Sequence, residues 1–252
     1  LEKRFTRCWI KNGCKKLIFS GFFFFSFPYF FDKGCHLVKK GYAIARALTL
    51  GILKLFFDFK VYGRQNIPTE PVLIVANHCS YLDPPIVGCT FEKEIYFVGR
   101  KSLFDNPLFG TLLRYLNTIP LDRDKPEVGS FKLILDLFEN GKSILVFPEG
   151  TRSPSGSLQK AAPGVGYIAA KAKVPILPLR IFGSFEAFPR TAKFPRPYPI
   201  RVVVGRAYRP TENTAGLSKK AYYQIVADEM MSKIAALQFD HKLGWVQKDL
   251  LV

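Results

Sequence analysis

At 252 residues the chain has room for one sizeable α/β domain and an appendage, and 48% hydrophobic residues suffice to fill such a core. Five cysteines, Cys8, Cys14, Cys35, Cys79 and Cys89, are an odd number at spacings that suit no metal site, which argues against a thiolate metal centre or a disulfide framework and fits a reducing compartment. A formal net charge of +17 calls for an anionic partner: a phospholipid surface, a phosphorylated substrate or nucleic acid.

The first 60 residues discriminate among these. They carry 12 Lys and Arg against 3 Asp and Glu, together with 12 of the 24 phenylalanines. Basic charge mixed with that much Phe favours an anionic membrane and no nucleic acid, because aromatic side chains enter the acyl boundary while Lys and Arg hold headgroups. Lys15-Lys16 followed by Leu17 to Phe31 is similar to the basic and apolar regions of a signal peptide. The apolar run is only 15 residues and is broken by Pro28, short for a transmembrane helix, so a shallow or re-entrant anchor is expected. From Leu37 to Phe59 the spacing predicts a helix in which Lys39, Lys40, Arg46, Lys54 and Asp58 share roughly a third of the circumference and Leu, Ile, Ala and Phe fill most of the rest. Such a helix packs on the domain or lies in a membrane interface, and its almost wholly basic polar edge favours the interface. Residues 1–60 are thus expected to be a membrane-associating segment ahead of a domain at 61–252.

Beyond Val61-Tyr62-Gly63 apolar strand-like runs alternate with helical ones. Strands are expected near Val72 to Ala76, Ile95 to Val98, Ser143 to Phe147, Ile176 to Phe182 and Ile200 to Val204, and helices near Pro107 to Leu116, Glu127 to Glu139, Gly164 to Ala172 and Ser218 to Leu237. That alternation predicts an α/β fold with a mainly parallel sheet covered by helices on both faces. Phe188 to Arg209, rich in Pro and Arg, reads as loop and edge strand.

Two polar clusters stand where buried strands run out. After Val72-Leu73-Ile74-Val75-Ala76 comes Asn77-His78-Cys79-Ser80-Tyr81-Leu82-Asp83, with Asp83-Pro84 opening the next helix. An aspartate there can accept from one imidazole nitrogen, set the tautomer and leave the other nitrogen to take a proton, although an Asp before Pro also serves simply as a helix cap. The second cluster, Phe147-Pro148-Glu149-Gly150-Thr151-Arg152-Ser153, follows Ser143 to Phe147. Ligands of open α/β sheets collect outside the carboxyl ends of strands, so both clusters can line one crevice. His36 and His241 sit in basic flanks and read as solvated, and Cys79 is rejected as a nucleophile.

Asn77-His78-x-x-x-x-Asp83 and Phe147-Pro148-Glu149-Gly150-Thr151-Arg152, in this order and separation, resemble the glycerolipid acyltransferase family, and specifically its 1-acylglycerol-3-phosphate acyltransferases. Gly110-x-x-x-Arg114 leading to Ile119-Pro120-Leu121-Asp122-Arg123 is similar to the family's second block, and Val174-Pro175-Ile176-Leu177-Pro178-Leu179 to its fourth; the likeness runs from about Val61 to Gly205. One departure is visible: where relatives often carry Phe-Lys-x-Gly, this chain reads Ala161-Ala162-Pro163-Gly164, so a lysine contact is missing or comes from Lys160.

The resemblance implies transfer of a fatty acyl group from a thioester on coenzyme A or acyl carrier protein to the second hydroxyl of lysophosphatidic acid, with no metal and no bound cofactor. It makes His78 the general base and Asp83 its orienting partner. It assigns Arg123 and Arg152, with Lys101 as a further cation, to the acceptor phosphate, Glu149 to the glycerol portion, and Gly150 and Thr151 to a tight turn offering donors to the ligand. The expected location is the cytoplasmic face of the inner membrane. The alternatives are another acceptor (glycerol 3-phosphate, another lysophospholipid or lysolipid) or a non-catalytic basic membrane-binding module. No Gly-x-Ser-x-Gly elbow supports a hydrolase.

Overall fold

The computed structural model describes residues 36–122, 128–210 and 216–240. The expected anchor at Leu17 to Phe31, like the rest of residues 1–35, lies outside them. In chain order the elements are α1 (His36–Phe57), β1 (Lys60–Tyr62), β2 (Leu73–Ala76), α2 (Asp83–Thr90), β3 (Tyr96–Arg100), α3 (Pro107–Tyr115), β4 (Thr118–Leu121), α4 (Val128–Glu139), β5 (Ile144–Val146), α5 (Pro163–Ala172), β6 (Ile176–Phe182), α6 (Ser184–Ala187), β7 (Arg201–Val204) and α7 (Lys219–Ala236). Local chemistry sets several boundaries. The Asn106 side chain accepts from the Phe109 N–H with Pro107 at the first helical position of α3, and Ser218 accepts from the Ala221 N–H to start α7. Arg180, pointing off β6, donates to the carbonyls of Ala235 and Leu237 and so closes the C-terminal end of α7.

The strands form one seven-stranded sheet in the order β1-β7-β6-β2-β5-β3-β4. All neighbours are parallel except β6 and β7, so the expected mainly parallel α/β sheet is present. Its central strand β2 is apolar at every position because both faces are covered. Ile74 and Ala76 pack with α1 and α2 through Leu53, Phe57, Ile86 and Val87. Leu73 and Val75 pack with α4, α5 and α7 through Ile134, Leu137, Ile168, Val226 and Met230. Burying each large aliphatic side chain contributes about 1.5–3 kcal/mol, so this double layer rigidly fixes where β2 ends.

Two strands escaped the sequence reading, and both lie at sheet edges. β1 is only three residues long, too short to show alternation. β4 contains Pro120, which cannot donate to a ladder and therefore reads as a break; as the terminal strand its unpaired side faces no neighbour and the proline is tolerated. Pro178 was read correctly as strand despite its central place. Its carbonyl accepts from the Gly205 N–H just past the end of β7, so its missing donor points where the ladder is already ending.

Helix α1 covers the predicted span up to Phe57, leaving Asp58 and Phe59 beyond its end, and uses two apolar faces. Tyr42, Leu53 and Phe57 are buried, while Ile44, Leu48 and Leu55 on the opposite side are exposed, as are Ile52 and Phe56. Tyr115 of α3 lies directly on Gly41 of α1, where a Cβ would fall 1.6 Å from its hydroxyl. Leu108, Phe109, Leu112 and Tyr115 of α3 are exposed as well. Among the described residues no helix is long and apolar enough to cross a membrane.

Helices α5 and α7 approach backbone to backbone, where a Cβ at Gly166 would stand 1.8 Å from the Tyr223 carbonyl oxygen. Gly166→Ala is therefore expected to force the helices apart and cost about 1–3 kcal/mol or more in urea unfolding. Gly164→Ala in the same helix, which meets nothing within 4 Å, should stay within about 1 kcal/mol of the parent.

Candidate active site

The chain leaves β2 through Asn77, whose side chain acts as one more rung of the sheet. Its Nδ2 donates to the Ile181 carbonyl at 3.0 Å and its Oδ1 accepts from the Ile181 N–H at 2.7 Å, tying the strand end to β6. The next residue, His78, is presented at the carboxyl end of the sheet. Its Nδ1 lies 2.8 Å from Asp83 Oδ2. A carboxylate only accepts, so Nδ1 carries the proton and Nε2 keeps its lone pair.

Asp83 is fully buried at the start of α2, and the same Oδ2 also accepts from the N–H groups of Cys79 and Ser80, both at 2.7 Å. Three donors on one oxygen offset the burial of the charge and fix the turn between the two residues, while Oδ1 remains buried without a partner. Cys79 points inward to Ser184 Oγ at 3.3 Å, and burial, reinforced by the Asp83 charge, pushes its thiol up to about 12.

The loop after β5 closes around this turn. Glu149 Oε1 accepts from the His78 N–H at 2.9 Å, and the His78 carbonyl accepts from the Ser153 N–H at 2.7 Å. The Phe147 ring stacks on the imidazole, centroids 4.0 Å apart and planes 14° from parallel. The other Glu149 oxygen accepts from the N–H and the Nε2 of Gln159, whose Nε2 also reaches the Thr151 carbonyl. Burial raises the Glu149 carboxyl above its ordinary range, and the donors from His78 and Gln159 work against that shift. Glu149 thus braces the backbone of the histidine, a role distinct from the ligand contact its motif implies.

His78, Asp83, Glu149 and Arg152 are gathered into one cluster. Gly150 adopts φ 71°, the left-handed turn that lets the loop double back. Thr151 beside it is exposed, and Arg152 stacks on the Tyr81 ring. Lys101 is exposed just beyond β3, a strand adjacent to β5, and so lies at the same end of the sheet. Arg123 lies outside the described residues. Lys160 is exposed three residues ahead of Pro163, the first residue of α5, and Ala161 and Ala162 stand where the motif has Phe and Lys. Asn77, Phe147, Ser153 and Gln159 carry contacts that motif reading did not assign. Phe147 was visible inside the second cluster, whereas Gln159 sits in a Ser- and Pro-rich loop with no signal of its own.

Removing the brace should be measurable apart from any assay. Glu149→Ala leaves the His78 and Gln159 backbone N–H groups without their acceptor and Gln159 Nε2 with the Thr151 carbonyl alone, and is expected to cost about 1–3 kcal/mol in urea unfolding. Unchanged stability in that variant would show that the loop is held by other contacts.

Residues 58–182 match the Acyltransferase family model. A chloroplastic 1-acyl-sn-glycerol-3-phosphate acyltransferase of Arabidopsis thaliana is 30% identical over 138 residues, covering 53% of this chain and 38% of that protein. The 1-acyl-sn-glycerol-3-phosphate acyltransferase of Pseudomonas aeruginosa is 31% identical over 152 residues, 59% of this chain and 58% of its own length. The match thus spans about half the length of these curated relatives. The crystal structure of the 1-acyl-sn-glycerophosphate acyltransferase from Thermotoga maritima superposes with a TM-score of 0.63 at 26% identity, covering 81% of this chain and 83% of that one. The histidine–aspartate pair and the loop that clamps it both fall inside the matched segment, and the chain belongs to the acyltransferase family.

Proposed function

We propose that this chain is a 1-acylglycerol-3-phosphate acyltransferase that moves a fatty acyl group from a thioester of coenzyme A or acyl carrier protein to the 2-hydroxyl of lysophosphatidic acid, giving phosphatidic acid. The observation that carries the reading is the 2.8 Å contact between His78 Nδ1 and Asp83 within a segment matching relatives named for that acceptor. His78 Nε2 takes the proton of the acceptor hydroxyl as its oxygen attacks the thioester carbonyl. The tetrahedral oxyanion collapses, the C–S bond breaks, and the imidazolium returns the proton to the departing thiolate. Asp83 stabilises the charged ring during that interval. Because a thioester is already activated, no acyl-enzyme is required. Arg152 supplies a planar fork for the acceptor phosphate, with Arg123 and Lys101 as further cations, and Gly150 and Thr151 turn the loop that carries it.

The acceptor is bilayer-borne, so the reading includes an anionic membrane as partner, at the cytoplasmic face of the inner membrane. The exposed apolar residues of α1 and α3 support it, edged by exposed Lys40, Lys54 and Arg114. Apolar burial and headgroup attraction then add.

His78→Ala is expected to lower transfer by roughly 10³ or more with folding intact, since it removes the proposed proton acceptor. Arg152→Ala should raise the acceptor KM by about ten- to a hundredfold, the equivalent of ~1.5–3 kcal/mol for a charge-assisted contact, with little effect on the thioester KM. A purified-enzyme assay with labelled acyl thioester against a panel of lysolipids and glycerol 3-phosphate tests both; a folded His78→Ala protein of normal turnover rules out the mechanism.

The membrane contact is read by flotation with anionic vesicles. Leu48→Ser with Leu108→Ser should lower the bound fraction at every salt concentration, whereas added salt alone should weaken the parent through its basic edge. Equal flotation of parent and variant would place the contact elsewhere.

A further inference from the structure

Among the described residues Arg152 is held by a ring and not by a carboxylate. Its Cζ lies 3.4 Å from the centroid of the Tyr81 ring, close enough for guanidinium and ring to lie face against face. Among the described residues its Nη1 is a buried donor with no hydrogen-bond partner. The five N–H groups of a guanidinium all point outward in its plane, so a ring covering one face fixes that plane without using any of the donors that an anion's oxygens would take. An ion pair with a carboxylate would occupy those same donors.

Tyr81 is itself anchored. Its ring rests against Phe188, centroids 5.8 Å apart, and the Phe188 carbonyl accepts from Ser80 Oγ at 2.8 Å. The segment following α6 therefore holds the ring that holds the arginine. Tyr81 is 55% exposed, so it is no part of the hydrophobic core, and packing alone gives no reason for an aromatic residue here. It lies between His78 and Asp83 in sequence, which joins the base and the cation through a single short turn.

We propose that Tyr81 is a positioning residue for Arg152, and that the stacked pair gives this enzyme its preference for an acceptor carrying a phosphate monoester over an uncharged one. The inference rests on the proposed reading of Arg152 as the acceptor-phosphate contact.

The test compares KM and kcat for lysophosphatidic acid and for monoacylglycerol, which lacks the phosphate, in the full chain. Tyr81→Leu, which keeps apolar bulk without a π face, and Tyr81→Ala should each raise the KM for lysophosphatidic acid by about three- to thirtyfold, the range of a partly desolvated cation–π contact. The thioester KM and the monoacylglycerol kcat/KM should move less than about twofold, so the preference for the phosphorylated acceptor falls by the same factor. Tyr81→Phe, which keeps the ring face, should recover most of the loss. Adding Tyr81→Ala to Arg152→Ala should cost nothing further, because the ring acts only through the guanidinium. Additive losses, an equal rise in the thioester KM, or failure of Tyr81→Phe to rescue would each overturn the inference. If Arg152→Ala raises the acceptor KM and the Tyr81 variants do not, the inference alone fails; if Arg152→Ala leaves it unchanged, the phosphate reading fails with it.

Discussion

Both peptide groups of His78 are taken by the loop that follows β5, its N–H by Glu149 and its carbonyl by the Ser153 N–H. A backbone held at both ends cannot drift, and a general base has to lie within hydrogen-bond reach of the proton it removes. The side chain is fixed by separate contacts, Asp83 at the ring edge and Phe147 on the ring face. Position and orientation are thus set by different residues, and all of them belong to two strand ends.

That arrangement needs β2 and β5 to be direct neighbours running the same way, as they are. Parallel strands bring their carboxyl ends to one edge, and as neighbours they set the loops that follow them side by side. The apolar layers above and below β2 therefore help to place the proposed base. Asn77 extends the same logic to β6, replacing a backbone rung with an amide side chain at the point where the strand must give way to the turn.

Much of this was legible in the chain. Fully apolar runs marked the buried strands, and the separation of His78 from Asp83 suits a turn into a helix. What was hidden depended on neighbours remote in sequence. β4 looked broken at Pro120 until its place at the sheet edge was known, and β1 was too short to signal. The direction in which Glu149 faces could not be read from its motif, because its partner Gln159 lies ten residues on in an irregular loop. Helix α1 read as amphipathic by charge alone, whereas its apolar residues divide into a core face and an exposed face that only packing separates.

Cys79 adjoins the base in a site read as handling activated thioesters. A reactive thiolate there would capture the acyl group by thioester exchange and trap the enzyme as a covalent dead end. With its thiol pushed up to about 12 it stays protonated at neutral pH, and the sulfur is turned inward to Ser184 besides. The Asp83 carboxylate that steadies the imidazole also repels charge from the neighbouring sulfur. In the proposed reaction the carboxylate that orients the base thus also adds to the burial that keeps a competing thiol uncharged.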